Sequence, residues 1–391
     1  MKLKLVLIVF LVFNSTVFSQ TRNLSSSAEV TVITVGPGTY LNDAFGHNAI
    51  RIKDDSLKLD IAFNYGVYDF QAPNFYSKFA QGKLNYLIGA DYFKDFLRQY
   101  SSQNRTVREQ VLNLNVEEKQ RMYDFLVDNY KPENRYYLYD YFYDNCATKI
   151  RDVTQEITQK DIQFNNPEGF ETKSFRELIH DHVDRNSWGS FGIDLALGSV
   201  IDREATAYQH MYLPEYIYRF FETATYENGE SLVTLSRTLY EKKDEEVSTA
   251  FIYSPLFVFG LIALMILWVT FSDLKKNKRT IWLDLILFGF TSLIGLFLLA
   301  LWFGTDHSAA AFNYNLLWAF PLNIIVLFQL FKKSIKGWVI KYLKLLVILI
   351  VLLTLHWLIG VQVFAIGLIP LLLALAIRYI YLIRFFRSRT N

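Results

Sequence analysis

One cysteine is the residue of this sequence best suited to do chemistry. Cys146 is the only cysteine among 391 residues, and apolar residues follow it at helical spacing, at Ile150, Val153 and Ile157. It therefore lies at or near the N-terminus of a helix, where free backbone N–H groups and a partial positive charge favour a thiolate. A thiolate is a nucleophile, and the same N–H groups can bind the oxyanion formed when a carbonyl is attacked.

A cysteine nucleophile requires a base, and His47 is the best placed of the six histidines. It stands at the beginning of one strand of a predicted hairpin whose turn is centred near Asp55. This register places His47 opposite residue 63 or 64, and opposed residues share one face of a sheet. Asn64 is therefore predicted to accept a hydrogen bond from the His47 ring and to fix its tautomer. Asp60 is the alternative orienting residue, although this register places it further from His47.

The first twenty residues predict export. Lys2 and Lys4 precede an apolar stretch at 5–13, and Val17 and Ser19 are the small residues of a cleavage site, so residues 1–19 have the layout of a secretory signal peptide. Exported proteins usually use cysteines in pairs, as disulfides. A single thiol is therefore either inert and buried or has a chemical role.

The composition divides the remaining chain into two domains. Residues 20–250 mix polar and apolar residues as an extracytoplasmic globular domain does, whereas residues 251–391 are dominated by Leu, Ile, Phe and Val. The net charge of +2 averages these two parts. No basic tract accompanies aromatic residues in the pattern of a nucleic-acid-binding protein, so nucleic acid is not an expected partner.

The second domain is predicted to be an all-α membrane domain of about five transmembrane helices. The predicted spans are 252–271, 281–302, 316–331 and two helices within 339–380. With the first domain outside, this topology puts the Lys/Arg clusters on the cytoplasmic side. The link 303–315 then lies on the same side as Cys146. Its polar residues, which include His307, Asn313 and Asn315, are either a solvated loop or a lipid-facing part of the active site.

The first domain is predicted to have an α+β fold. Stretches rich in β-branched residues or with alternating polarity predict strands at 30–35, 44–53, 57–65 and 106–114. Apolar residues at helical spacing predict helices at 75–82 and 116–129 and a further helix that begins near Cys146.

Three motifs resemble the extracytoplasmic domain of the Lnb-type lipoprotein N-acyltransferases. They are Phe-Gly-His-Asn-Ala-Ile-Arg at 45–51, Asn-Tyr-Gly at 64–66 with Asp69 and Phe70, and Asn-Cys-Ala-Thr at 145–148 with Arg151 and Asp152. That domain looks like a permuted member of the papain-like NlpC/P60 superfamily, in which the histidine precedes the cysteine. Lecithin-retinol acyltransferases share this order. The resemblance continues at 192–203, at His307 and at 313–318, and so covers most of the chain.

The resemblance implies a membrane acyltransferase with a permuted papain-like domain. Cys146 would attack an ester carbonyl of a membrane phospholipid while His47 takes the thiol proton. The acyl group would then pass, as a thioester, to the N-terminal amine of a diacylated lipoprotein. The resemblance implies no metal and no cofactor, and an integral protein of the cell inner membrane with its first domain on the periplasmic side. Substrate contacts are expected at Asn145, His307, Asn313 and Asn315.

Other classes of protein fit the same residues. A membrane-anchored cysteine amidase or peptidase acting on cell-wall peptide would use Cys146, His47 and Asn64 with water as the acceptor, although one span is enough to tether such an enzyme. A phospholipase or thioesterase would form the acyl-enzyme and hydrolyse it. A non-enzymatic membrane receptor would keep Cys146 buried and inert.

Overall fold

The computed structural model describes residues 22–244, 250–332 and 335–390. The predicted signal peptide, residues 1–19, lies outside the described residues. A mixed α/β part comes first and a helical part follows, as the sequence predicted. The predicted division of the chain near residue 250 remains a prediction.

An antiparallel sheet of seven strands is the centre of the first part. Its strands are β1 Glu29–Val35, β2 His47–Asp54, β3 Leu59–Val67, β4 Asn85–Tyr92, β5 Val107–Leu112, β6 Tyr136–Leu138 and β9 Val233–Tyr240. They lie in the order β6-β4-β3-β2-β1-β5-β9, and β7 Ile162–Gln163 pairs separately with β8 Thr225–Tyr226. The four predicted strands correspond to β1, β2, β3 and β5.

Eight helices accompany the sheet in this part of the described chain. They are α1 Phe75–Ala80, α2 Phe93–Ser102, α3 Val116–Asn129, α4 Cys146–Thr158, α5 Phe175–His180, α6 Trp188–Ala196, α7 Ala207–His210 and α8 Pro214–Thr223. The helix predicted at 116–129 is α3, and Asn115 closes its start through a capping box with Glu118.

Strand β1 is buried on both faces because helices cover both sides of the sheet. Val30 and Val32 pack into the larger core with Ile150 of α4. Ile33 lies on the other face, in a smaller core with Phe96 of α2. This double burial explains why the sequence of β1 is a nearly continuous run of β-branched residues. It also places α4, which carries Cys146, directly on the central strands.

Five α-helices follow in the described residues of the second part. They are α9 Pro255–Lys276, α10 Ile281–Gly304, α11 Asn323–Leu330, α12 Trp338–Leu358 and α13 Leu368–Thr390. Four of these, all except α11, are long and apolar enough to cross a membrane. They match the first, second, fourth and fifth predicted spans.

The third predicted span, 316–331, is a broken element. A 3-10 turn at Tyr314–Leu317 precedes an irregular stretch, and only α11 is α-helical. The irregular stretch lies against α10 at Gly295, where a Cβ atom would stand 2.1 Å from the Ala319 carbonyl oxygen. The Ser292 hydroxyl donates to the Pro321 carbonyl at 2.9 Å, which satisfies one of the backbone groups that the irregular stretch leaves free.

The broken element begins at the end of the membrane part that faces the α/β part, and it ends at the opposite end. At its beginning, the Asn315 side chain donates to the Asp194 carbonyl of the first part at 2.9 Å. At its end, the Leu330 carbonyl accepts from Arg279, in the turn between α9 and α10, at 2.9 Å. The segment therefore traverses the helical part, and the five predicted crossings consist of four continuous helices and one interrupted segment.

Buried charges join three helices at the end of the membrane part opposite the sheet. Arg378 of α13 is fully buried and donates to Asp284 of α10 at 2.8 Å and to Asp273 of α9 at 2.9 Å. Arg279 also donates to Asp284, at 2.8 Å. Two cations and two anions therefore compensate one another in a region where an unpaired charge is costly.

Candidate active site

Cys146 is the first residue of α4, at the position expected from the sequence. The Asn145 side-chain oxygen accepts hydrogen bonds from the backbone N–H groups of Ala147 and Thr148, at 2.8 and 3.0 Å. The Thr148 hydroxyl accepts from the Asn145 backbone N–H at 2.8 Å. This reciprocal capping box holds the backbone that carries Cys146 at a defined helix start.

The Cys146 thiol is half-buried and borders a cavity. Its sulfur accepts hydrogen bonds from the backbone N–H groups of Asn48 and Ala147. Burial nevertheless raises the pKa of the thiol, because the loss of solvation outweighs these N–H groups and the charge of Arg105. The N–H groups at the helix start do favour the thiolate, as expected, but burial has the larger effect, and the neutral thiol is the favoured form in the resting protein.

His47 is the first residue of β2, and its ring also borders the cavity. The ring lies against Tyr100 of α2, with 6.1 Å between the ring centroids. The pKa of His47 is lowered to about 4: burial is the largest cause, the charge of Arg105 acts in the same direction, and a hydrogen bond with the Asn64 side chain opposes both. His47 is consequently a neutral imidazole at physiological pH, and a neutral imidazole can accept the proton of a thiol.

Asn64 contacts His47 although the predicted register of the hairpin is wrong. Strands β2 and β3 pair Ile50 with Phe63, and the same register, continued, puts Asn64 opposite Ala49 rather than opposite His47. The turn is longer than expected, which shifts the pairing. Because His47 and Ala49 lie two residues apart on one face of the sheet, Asn64 is a diagonal neighbour of His47 and remains within reach.

Asp60, the alternative orienting residue, binds a different partner. Its carboxylate accepts two hydrogen bonds from Arg51, at 2.6 and 2.9 Å. Asp60 stands opposite Lys53, at the end of the hairpin away from His47. The hydrogen bond to His47 is made by Asn64, so the geometry gives Asp60 no part in orienting the imidazole.

Asn145, expected to bind substrate, uses its whole side chain within the protein. Its amide nitrogen donates to the backbone carbonyls of Tyr141 and Tyr212, at 2.7 and 2.8 Å. Its oxygen already accepts two N–H groups of α4. An amide has two donors and two acceptor sites. All four are occupied, so Asn145 positions Cys146 and has no hydrogen-bonding group left for a substrate.

The link 303–315 is the outer loop of the membrane part. Of its three residues that were expected to contact substrate, one borders the cavity. His307 borders the cavity together with Asp306. Asn313 and Asn315 are buried instead, and their side chains donate to the carbonyls of Leu195, at 2.8 Å, and Asp194, at 2.9 Å, near the end of α6. These two asparagines hold the membrane part against the α/β part, and the expectation that they contact substrate is not supported by their positions.

Gly198, directly after α6, lies at the closest approach of the two parts. Its backbone N–H donates to the Ala309 carbonyl at 2.9 Å. A Cβ atom at this position would stand 1.8 Å from the Ala311 carbonyl oxygen, so only glycine fits. The α/β part and the outer loop are thus joined by backbone contact as well as by the asparagine side chains.

The cavity has a volume of about 790 Å³ and is bordered by both parts of the chain. Most of its lining is aromatic or aliphatic, and Cys146, His47, Asp140 and His307 are among its polar residues. This size and this mostly apolar lining are typical of sites that bind small apolar molecules. Among the described residues, no group of three or more His, Cys, Asp or Glu side chains is placed to bind a metal ion.

Two charged residues near the site were missed in the sequence. Asp91 of β4 accepts from the Asn64 amide nitrogen at 3.2 Å, which leaves the Asn64 oxygen for the His47 ring. Arg105 is buried behind Tyr100, with its guanidinium 5.0 Å from the centre of that ring, and donates to the Gly36 carbonyl at 2.9 Å. Both lie far from Cys146 in the sequence, and no local motif marks either of them.

The fold and the site together define a class of protein. It is an integral membrane protein whose α+β domain holds a cysteine and a histidine at one apolar cavity, and whose membrane part forms one side of that cavity. Two family models match the chain: the Lnb N-terminal periplasmic domain over residues 17–181, and the Lnb transmembrane domain over residues 245–389. The chain therefore belongs to the Lnb type of membrane protein, with a periplasmic N-terminal domain. A search of curated proteins and a search of solved structures find no match.

Proposed function

We propose that this protein transfers an acyl chain from a membrane phospholipid, through a thioester on Cys146, to the N-terminal amine of a diacylated lipoprotein in the cell inner membrane. One observation carries the proposal. Cys146 and His47 border the same apolar cavity, and the outer loop of the membrane domain forms part of its wall at His307. A cavity at the junction of a periplasmic domain and a membrane domain suits substrates that are anchored in the membrane.

The first half of the reaction forms the thioester. His47 takes the proton from the Cys146 thiol as the sulfur attacks the ester carbonyl carbon of the phospholipid. The ester C–O bond then breaks, and His47 returns the proton to the departing oxygen, which leaves a lysophospholipid. Since burial favours the neutral thiol and the neutral imidazole, the proton moves during the attack and the resting pair carries no charge.

The negative charge that develops on the carbonyl oxygen requires hydrogen-bond donors. The backbone N–H of Cys146 itself, at the start of α4, is one candidate, since those of Ala147 and Thr148 donate to Asn145. The Tyr141 hydroxyl is a second, because it is buried, has no hydrogen-bond partner among the described residues and belongs to a side chain that borders the cavity.

The second half transfers the acyl group. The amine of the lipoprotein attacks the thioester carbonyl, the C–S bond breaks and an amide forms. His47 accepts the proton lost by the amine and returns it to the sulfur. The apolar lining limits access of water to the thioester, which favours transfer to the amine over hydrolysis.

Intact-protein mass spectrometry tests this proposal. Protein reconstituted with phospholipid should gain the mass of one acyl chain on Cys146, and a diacylated lipopeptide with a free N-terminal amine should remove it and become triacylated. The Cys146→Ala variant should not be acylated, whereas Tyr92→Ala, an exposed substitution on the same domain, should behave like the unmodified protein. Acyl gain followed only by hydrolysis would indicate a phospholipase, and absence of acyl gain would refute the thioester.

A further inference from the structure

The segment between β3 and β4 has an unusual surface for the outside of a soluble domain. Phe70, Tyr76 and Phe79 are 65%, 80% and 55% exposed. Helix α1 has only six residues, and Phe75 is its only buried one. Large exposed aromatic groups that lie close together mark a surface that contacts another molecule or a membrane.

The same segment is joined to the outer end of a membrane helix. The Asp306 backbone N–H donates to the Gln81 carbonyl at 2.9 Å, and Asp306 stands two residues after Gly304, where α10 ends. Gly82 has a positive φ of 70°, and a Cβ atom there would lie 3.2 Å from the Asp306 backbone and 3.3 Å from His307. A glycine suits this close approach, because a larger residue would be strained at this φ and would push against the loop. The aromatic segment consequently lies at the level where the membrane helix leaves the bilayer.

Other exposed aromatic residues lie at this level. Phe303, in the last turn of α10, is 73% exposed, and Tyr253, just before α9 begins, is 72% exposed. Aromatic rings are enriched where a membrane meets water. Lys78, exposed in the segment, supplies a positive charge that suits phosphate headgroups, whereas the ammonium group of Lys83 lies 3.9 Å from the Asp306 carboxylate.

The inner side of the segment borders the cavity that holds Cys146. Tyr68, Phe70, Phe75 and Phe79 contribute to its lining, and their rings contact one another. The exposed rings of Phe70, Tyr76 and Phe79 themselves border the cavity, so the segment is an aromatic wall at the mouth of the cavity.

We infer that the segment 68–82 inserts its exposed aromatic side chains into the outer leaflet of the membrane and forms the wall past which a lipid acyl chain enters the cavity. The continuity of the segment with the end of α10 favours lipid over a protein partner as the occupant of this surface. The role as an entrance rests on the proposed function, whereas the membrane contact does not.

The single cysteine makes the membrane contact directly testable. In a Cys146→Ser background, Phe79→Cys introduces one site for a nitroxide spin label in protein reconstituted in phospholipid nanodiscs. The control is Tyr92→Cys, which is also exposed but lies at the other end of β4, roughly 23 Å from Asn85 at the rise of a β-strand. The label at position 79 should collide more with membrane-dissolved oxygen than with a water-soluble nickel complex, and the label at position 92 should do the reverse. Equal, water-like behaviour at both positions would overturn the inference and leave a protein partner as the occupant.

The entrance is tested separately with Phe79→Asp. Acylation of Cys146 by phospholipid in a bilayer should fall about tenfold or more, since moving one exposed phenylalanine side chain from water into lipid corresponds to at least that factor. Acylation by a short-chain phospholipid in detergent should be much less affected. An equal fall with both donors would refute the entrance. If position 79 contacts lipid but Cys146 is never acylated, the proposed chemistry fails and the membrane contact stands.

Discussion

The backbone N–H of Asn48 donates a hydrogen bond to the sulfur of Cys146. This contact joins the first residues of β2 to the first residue of α4, and the adjacent His47 borders the same cavity as Cys146. The Asn48 side chain is buried and donates to the Ile33 carbonyl at 3.2 Å and to the Thr34 hydroxyl at 2.9 Å, so β1 fixes its position in turn. Two residues far apart in the sequence are thereby placed by hydrogen bonds of the central sheet.

The pH dependence of Cys146 acylation should reflect the buried state of His47. The pKa of His47 is lowered from 6.5 to about 4, mainly by burial, and a base is lost as the pH falls through its folded-state pKa. Acylation should therefore persist at about pH 5 and decline only as the pH approaches 4. The measurement is the initial rate of mass gain on Cys146 against pH, with tryptophan fluorescence as a check on folding. A decline centred near 6.5 would contradict the assignment.

The charge of Arg105 is expected to shift the pH dependence of Cys146 acylation. Its charge lowers the pKa of His47 and of Cys146, so Arg105→Met should raise both. The acid limb of the rate profile should move to higher pH, and alkylation of Cys146 by iodoacetamide should slow at a fixed pH.

Two controls separate this electrostatic effect from a structural one. Arg105→Lys keeps the charge and should largely restore the profile. Arg98→Met removes an exposed charge of the neighbouring α2 and should leave the profile unchanged. An unshifted profile in folded Arg105→Met would exclude the electrostatic role.

Asn64 and Asp60 provide a comparison of the two candidate orienting residues. Asn64→Leu removes the hydrogen bond to His47, and the rate of acylation should fall roughly tenfold, the kinetic equivalent of one such bond. Asp60→Asn weakens the interaction with Arg51 and should lower thermal stability slightly without slowing acylation. The opposite order of the two rates would assign the orienting role to Asp60.

Gly198 and Gly192 test the contact between the two domains. Gly198→Ala places a methyl group 1.8 Å from the Ala311 carbonyl oxygen, whereas a Cβ atom at Gly192, inside α6, meets no other atom within 4 Å. Gly198→Ala should lower the melting temperature in detergent and reduce acylation, because the outer loop that borders the cavity must move. Gly192→Ala should be neutral or slightly stabilising. Equal melting temperatures for the two variants would show that the contact is not maintained in solution.

The sequence by itself determined the elements and singled out the two residues that we propose to react, Cys146 and His47. The β-branched run of β1, the helical spacing after Cys146 and the long apolar stretches each report a local property: which faces of an element are buried, or whether lipid surrounds it. They predicted the α+β fold, the helix start at Cys146 and five membrane spans, of which four are continuous helices. The third span was predicted as one continuous helix, because its residues are apolar enough to lie in a membrane. Pro321 and the contact at Gly295 interrupt that helix.

Only the tertiary structure decided what surrounds the reacting residues. The hairpin register, the partners of Asp60 and Asn145, and the approach of Asp91 and Arg105 depend on contacts between segments distant in the sequence, and no local pattern encodes these contacts. The protonation state of the pair is decided in the same way. The helix start favours a thiolate locally, but packing of the sheet, α4 and the aromatic cavity removes water from the sulfur and the imidazole, and this desolvation is the larger effect.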